Sequence, residues 1–144
     1  MTWLLHRAAQ RMHGVMEEQA HRHGVSLREY LVLTALSTIG PSTQWALGQA
    51  IGLDKTTLTT LLDRLEQGGL LVRQADPQDR RARIPDVTQT GRELRVKVAH
   101  DIAAVEAALL AAFSPSEQQS LRSMLCVLIG GTEANKTSFS GSCV

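Results

Sequence analysis

Residues 40–90 have the sequence GPSTQWALGQAIGLDKTTLTTLLDRLEQGGLLVRQADPQDRRARIPDVTQT. Its first part predicts two helices joined by a tight turn. The first covers residues 44–51, and Gly52 follows it as a residue that can adopt the left-handed conformation that ends a helix. Asp54 then stands where an N-cap belongs, because its carboxylate can accept a free backbone N–H of the next helix. That second helix has one apolar stripe with spacings of three and four residues, formed by Leu58, Leu61, Leu62 and Leu65.

The second part of the stretch predicts a β-hairpin. Gly68 and Gly69 end the helix, and residues 70–74 then favour a short strand. Asp76-Pro77 fits the first two positions of a type I turn, and the chain returns through Ile84 and Val87. Helix, turn, helix and hairpin together predict a winged helix-turn-helix.

The residue types on the exposed parts of this unit indicate DNA binding. Small hydroxyl side chains and a lysine at a helix start can approach base edges closely, and arginines at the hairpin tip can reach phosphates or the minor groove. The alternative is that the threonines are merely solvated and the arginines only make a soluble loop. Threonine is a mediocre helix former, so four of them within five positions favour the DNA interpretation. The predicted DNA contacts are Thr43, Gln44, Lys55, Thr56, Thr57, Thr60, Arg64, Arg80, Arg81 and Arg83, and Asp79 is predicted to order the wing.

The same stretch resembles the MarR family of bacterial transcription regulators, and the resemblance extends over about residues 4–129. Its most specific segments are LDKTTLTTLLDRLEQGGLLVR and DPQDRRARIPDVTQTG. The second carries the family's wing pattern in Asp79, Arg81, Val87-Thr88 and Gly91. The resemblance implies a homodimeric, mostly repressing regulator that binds double-stranded DNA and often responds to a small ligand.

Two residues depart from the family pattern. Thr60 stands where many members have an arginine that contacts bases, so the operator preference of those members does not transfer. Pro85 lies in the second wing strand and cannot donate a ladder hydrogen bond, which an edge strand tolerates.

The resemblance also implies a ligand cleft between the dimerisation helices and the DNA-binding lobe. The residues that it suggests as lining are His13, Met16, Tyr30 and Trp45, and the implied effector is small and lipophilic or aromatic.

Composition limits the other possibilities. The 144 residues suit one compact domain with a dimerising extension, and the net charge of +1 is no general nucleic-acid signature. The wing is more basic, since four arginines from Arg73 to Arg83 minus Asp76 and Asp79 give +2. No membrane segment, signal peptide or cofactor motif is expected, and the two cysteines suit a reducing cytoplasm. His6 and His13 share a helix face, but no partner ligands support a metal site.

The flanking segments predict further helices. One covers residues 3–23 and ends at Gly24, with His21 and His23 at its frayed end. Capping boxes, in which a Ser or Thr precedes a Glu by three residues, are expected at Ser26 and Ser114. Thr88, or Thr90 with Glu93, is expected to cap a long helix.

The apolar content of the terminal helices predicts a dimer interface. Residues 102–113 of the long helix are almost wholly apolar and need cover on more than one side. The alternative is that the first, long and last helices pack together within one chain. The predicted organisation is a helical dimerisation region at 1–25 and 90–130, a winged helix-turn-helix lobe at 26–89, and a flexible tail at 131–144.

The alternatives to a ligand-responsive regulator are a thiol-switched regulator and an enzyme. Oxidation of Cys126 or Cys143 would make the chain a thiol-switched regulator, although Cys126 stands in an apolar segment that favours an inert thiol. An enzyme is disfavoured, because no nucleophile motif, Gly-rich phosphate loop or paired metal motif occurs. No catalytic residue is predicted.

Overall fold

A computed structural model describes residues 1–40, 42–76 and 83–129. This part of the chain is mainly helical, with one two-stranded antiparallel sheet, and the predicted fold class is confirmed. The elements in order are α1 (Thr2–Arg22), α2 (Leu27–Ile39), α3 (Gln44–Ile51), α4 (Lys55–Gln67), β1 (Leu71–Ala75), β2 (Arg83–Val87), α5 (Gln89–Leu110) and α6 (Pro115–Leu128).

Most helix starts follow from their capping residues. Both Ser26 and Ser114 form complete capping boxes with the glutamate three residues later, as the sequence predicts. The Glu29 carboxylate accepts the Ser26 N–H at 2.7 Å, and Glu117 accepts the Ser114 N–H at 2.8 Å. These reciprocal bonds place the first turns of α2 and α6.

The start of α5 corrects one expectation. Thr88 is the N-cap, and its side-chain oxygen accepts the Gly91 N–H at 3.0 Å. Thr90 already lies inside α5, so the predicted Thr90–Glu93 capping box is wrong. The Glu93 carboxylate instead accepts a hydrogen bond from the Gln89 side chain at 2.9 Å.

The end of α5 comes earlier than the apolar sequence suggests. The helix ends at Leu110, so the apolar segment 102–113 is not helical throughout. The chain turns there, with the Phe113 N–H bonded to the Leu110 carbonyl at 2.9 Å, and Gln118 of α6 donates to the carbonyls of Leu110 and Phe113. Pro115 disfavours a helical conformation at Ser114, which keeps α5 and α6 separate.

The wing strands pair with Leu71 opposite Val87 and Ala75 opposite Arg83, one residue later in β1 than predicted. Pro85 stands opposite Arg73. The Arg73 N–H points away from β2, since it donates to the Glu66 carboxylate at 3.2 Å. In an antiparallel pair both partners then face outward, so Pro85 occupies a position where no ladder N–H is needed.

The winged-helix lobe has its own core, built from α2, α3, α4 and the two strands. The α4 stripe that the sequence predicts is buried, with Leu62 at 0% exposure. The other buried members are Val32, Leu33, Ala35, Leu36, Leu47, Leu58, Leu61, Leu65, Leu71 and Val87. This closed core holds α4 in place with its polar face outward.

A second, smaller core joins the lobe to α1 and α5. It contains Ala20, Val25, Leu27, Val98 and Ile102. Leu70 and Leu94 pack against both cores. The second core therefore connects residues on both sides of the boundaries predicted at residues 25 and 90.

The terminal helices leave apolar side chains exposed. In α6 no residue is buried, so the alternative in which it packs with the first and long helices within one chain is not what the described chain shows. Trp3 and Leu4 at the start of α1 are 69% and 68% exposed. Among the helices of residues 1–40, 42–76 and 83–129, none combines the length and the hydropathy that a membrane-spanning helix requires.

Candidate nucleic-acid interface

The turn between α3 and α4 is tight. Gly52 has a φ of 66°, in the left-handed region that favours glycine, as predicted. The Leu53 N–H then bonds to the Gly48 carbonyl at 3.0 Å. A Cβ added to Gly48 would lie 3.0 Å from the Leu53 carbonyl oxygen, so a larger residue would require this turn to shift by a few tenths of an ångström.

One face of α4 is free to meet another molecule. Thr56, Thr60 and Arg64 follow one another at intervals of four residues, and all three are exposed. The Thr60 hydroxyl donates to the Thr56 carbonyl at 3.1 Å, which leaves its oxygen available to accept a hydrogen bond. Lys55 is exposed at the first turn of the same helix. These four side chains present donors and acceptors without bulk near the backbone.

Thr57 has a different environment from Thr56 and Thr60. It is half-buried, and its hydroxyl donates to the Asp54 carboxylate at 2.6 Å. The Thr57 N–H bonds to the same carboxylate at 3.0 Å. The Thr57 hydroxyl and backbone hydrogen bonds hold the pKa of Asp54 below its usual 3.8, so the cap stays ionised in mild acid. The structure thus brings Thr57 into the helix cap, while its predicted DNA contact stays a prediction.

The start of α3 presents a second polar edge. Thr43 is its N-cap, and the side-chain oxygen accepts the Ala46 N–H at 3.3 Å. Gln44 is half-buried in the first turn, and Trp45 is 76% exposed beside it. Free amides at a helix start favour an anion such as a phosphate.

The wing carries one predicted contact that can be placed. Arg83 is exposed at the first residue of β2. Asp79, Arg80 and Arg81 lie outside the described residues, so their roles stay predictions.

Arg73 counts toward the formal charge of +2 of the wing, but Asp63 and Glu66 compensate its positive charge. Its guanidinium lies 2.5 Å from Asp63 Oδ1 and 3.5 Å from Glu66 Oε2, and its side chain is only 19% exposed. This cluster has no signature in the sequence, because the acidic pair lies on α4 and the arginine on β1.

The far end of the wing is tied to α5. The Thr88 hydroxyl donates to the Gly69 carbonyl at 2.8 Å and the Thr88 N–H to the Leu70 carbonyl at 3.1 Å. The Arg92 guanidinium also donates to the Val87 carbonyl. A Cβ on Gly91 would overlap the Leu70 carbonyl oxygen, so only glycine allows α5 to approach β1 this closely.

The four predicted ligand-lining residues occupy different surroundings. Met16 and Tyr30 both pack against the second core. His13 is exposed and lines a shallow groove with His6, Ala9 and Gln10, and Trp45 stands at the start of α3. The structure brings Met16 and Tyr30 to one core and leaves the other two outside it.

His23 is not at a frayed end, contrary to expectation. Its Nε2 lies 2.8 Å from Asp101 Oδ2 on α5, and its side chain is 23% exposed. Hydrogen bonds from His23, and then from His100, hold the pKa of Asp101 below its usual 3.8. Within the described ranges, no three His, Cys, Asp or Glu side chains are placed to hold a metal ion.

Comparison with known proteins supports the interpretation as a regulator. Residues 25–82 match the family model described as MarR family. The HTH-type transcriptional regulator MhqR of Bacillus subtilis is 31% identical over 122 residues, which are 85% of this chain and 84% of MhqR.

Solved structures agree in fold over almost the whole chain. CouR from Rhodococcus jostii RHA1, solved with p-coumaroyl-CoA, superposes with a TM-score of 0.80 at 27% identity, covering 91% of this chain and 92% of CouR. A structure of the transcriptional repressor CouR bound to a 23-mer DNA duplex gives a TM-score of 0.84 at 25% identity, covering 90% of this chain and 92% of that one. With the exposed α4 face and the wing in place, the chain belongs to the MarR family and is a winged helix-turn-helix, DNA-binding regulator of transcription.

Proposed function

We propose that the chain acts as a homodimeric repressor that binds a pseudo-palindromic operator and is released from it by a small lipophilic or aromatic molecule. The observation that carries the proposal is the exposed, small-residue face of α4, which the lobe core holds outward. Thr56 and Thr60 lie there with Lys55 before them and Arg64 after them. Such a face fits the major groove, where hydroxyls can contact base edges and cations can contact phosphates.

The terminal helices support the dimer. Side chains of α6 and the first turn of α1 expose a large apolar area, which in soluble proteins marks an interaction surface. The exposed fraction is 70% for Val127, 68% for Leu128 and 82% for Ile129. A second copy of the chain offers the same surface, so a twofold pair covers both faces at once.

The ligand part of the proposal rests on two supports. CouR was solved both with p-coumaroyl-CoA and with DNA, which makes a ligand-responsive repressor the natural model for a chain of the same fold. Within this chain, Met16 and Tyr30 bring an adaptable thioether and an aromatic ring to the junction between α1, α2 and α5. A ligand bound at that junction would change the position of the winged-helix lobe relative to α5.

The central test is selection of bound fragments from a random DNA pool by the purified chain. Two α4 helices related by a dyad predict two half-sites separated by about one helical turn, ~10 bp centre to centre. Recovery of no preferred sequence would reject the DNA part of the proposal. A preferred sequence without internal symmetry would reject the dimer part.

Effector response is tested on the selected duplex. A panel of aromatic acids and their CoA thioesters should include compounds that release the DNA and raise the thermal midpoint of the free protein. Release that is unchanged in Tyr30→Ala, with folding intact, would remove Tyr30 from the predicted lining residues.

A further inference from the structure

Three polar contacts join the recognition helix α4 to the first wing strand β1; we name Asp63, Glu66 and Arg73 the clasp. Arg73 Nη2 lies 2.5 Å from Asp63 Oδ1, and Arg73 Nη1 lies 3.5 Å from Glu66 Oε2. The Arg73 backbone N–H donates to Glu66 Oε1 at 3.2 Å. One residue of β1 is thus held by two carboxylates, through its side chain and its backbone.

The clasp constrains the orientation of the Arg73 side chain as well as its distance from α4. Asp63 and Glu66 are three residues apart and therefore neighbours on one side of α4. A guanidinium is planar and carries its donors in a rigid fork, so bridging two carboxylates orients it as a unit. The added backbone contact at Glu66 fixes which residue of β1 stands beside α4.

The clasp does not leave Arg73 available for DNA. Its side chain is 19% exposed, compared with 49% for Asp63 and 41% for Glu66, and both acids compensate its charge. Arg83, in contrast, is exposed at the outer end of the strand pair, opposite Ala75. Arg73 anchors β1. Arg83 lies on β2, and its partner Ala75 lies on β1.

We propose that Arg73 is a positioning residue for DNA binding: through the clasp it sets where the wing, with Arg83, stands relative to α4, and it makes no DNA contact of its own. This inference rests on the proposed sequence-specific DNA binding.

The first experiment compares Arg73→Lys, Asp63→Asn and the wild-type chain on the duplex selected by the wild type. Lysine keeps the positive charge but cannot form the two-carboxylate fork. We expect either variant to weaken binding by about tenfold, within the range found for residues of one salt-bridge network. If Arg73 contacted a phosphate, Arg73→Lys would bind nearly as well as the wild type. If only overall charge mattered, Asp63→Asn would bind more tightly. Either result overturns the inference.

The second experiment is a double-mutant cycle with Arg83→Ala. Because Arg73 acts through the wing, the roughly tenfold effect of Arg73→Lys should shrink to about twofold or less once Arg83 is absent. An equal effect with and without Arg83 overturns the inference, because Arg73 would then act independently of the wing contact.

Two controls separate this inference from folding and from the proposed function. Circular dichroism and the urea midpoint should show each variant folded at the assay temperature, and a random-sequence duplex of equal length should show little change. If the Arg73→Lys variant were unfolded, Asp63→Asn would replace it in the double-mutant cycle. Its effect on DNA binding would then be compared with and without Arg83→Ala. If the wild type selected no preferred sequence, the proposed function would be refuted. If the wild type selected a sequence and the variants bound it with unchanged affinity, only the inference about the clasp would be refuted.

Discussion

In α4 the four stripe leucines are at most 6% exposed, whereas in α6 the apolar residues Leu121, Met124, Leu125, Val127 and Leu128 are 40% to 70% exposed. Both helices have apolar residues at helical spacing, and both begin with a side-chain cap. They differ in what surrounds them. Neighbouring elements α2, α3, β1 and β2 close over α4, but α6 follows the end of α5 and meets no comparable cover in the described chain. An apolar stripe therefore shows that a helix has a partner, while the fold shows whether that partner lies in the same chain.

The largest expected effect comes from breaking the closed core. Leu62→Ala should lower the free energy of unfolding by about 2–5 kcal/mol, because the fully buried side chain leaves a cavity. Leu128→Ala is the matched control, and it should alter mainly the dimer dissociation constant. The measurements are urea unfolding at fixed protein concentration and sedimentation across a concentration series. Equal effects of the two variants on unfolding, with no change in association, would contradict the comparison.

Substitutions at two glycines, one closely packed and one in open space, test the same contrast. Gly91→Ala should cost about 1–3 kcal/mol of folding free energy, since the new Cβ meets the Leu70 carbonyl and lies 2.8 Å from Val87 Cγ1. Gly14→Ala meets nothing within 4 Å in α1 and should stabilise by up to about 1 kcal/mol through helix propensity. Thermal unfolding of both variants checks the opposite signs. Stabilisation by Gly91→Ala would show that α5 can move away from β1 freely.

The polar face of α4 should matter for DNA sequence rather than for folding. Thr56→Ala and Thr60→Ala should each change relative affinity among operator variants by about 1–3 kcal/mol at one base pair. Thr59→Ala is the control, since Thr59 is half-buried, whereas Thr56 and Thr60 are exposed. Binding to a panel of single-base variants measures the effect. An unaltered preference in both exposed-threonine variants would place the base contacts elsewhere.

The smallest effect concerns acid and the α4 cap. The folded pKa of Asp54 lies below 3.8, so its stabilising contribution is present above the unfolded pKa and is lost as pH falls through the folded value. From about pH 5 downward, the wild type should lose urea resistance more steeply than Asp54→Asn, in which no carboxylate titrates at this site. Identical pH profiles would show that the carboxylate does not contribute through its charge.

Most of the local structure could be predicted from short-range patterns. The capping boxes at Ser26 and Ser114, the left-handed Gly52 and the α4 stripe depend on residues within one or two helical turns, so their chemistry is visible in the chain. The choice of Thr88 over Thr90 could not be made locally. Either threonine can cap a helix, and Thr88 is selected because it also bonds to Gly69 and Leu70 in the approach to the wing.

By itself, the sequence determined most of the helix starts, the apolar stripe of α4 and that the chain binds DNA through a winged helix-turn-helix. Only the tertiary structure decided how the charges are used. Arg73 is ten residues from Asp63, and His23 is seventy-eight residues from Asp101, yet each pair lies within hydrogen-bonding distance. Such pairs form because the two cores bring distant segments together. The spacing of two residues in the sequence indicates whether they lie close together only when both belong to the same helix or strand.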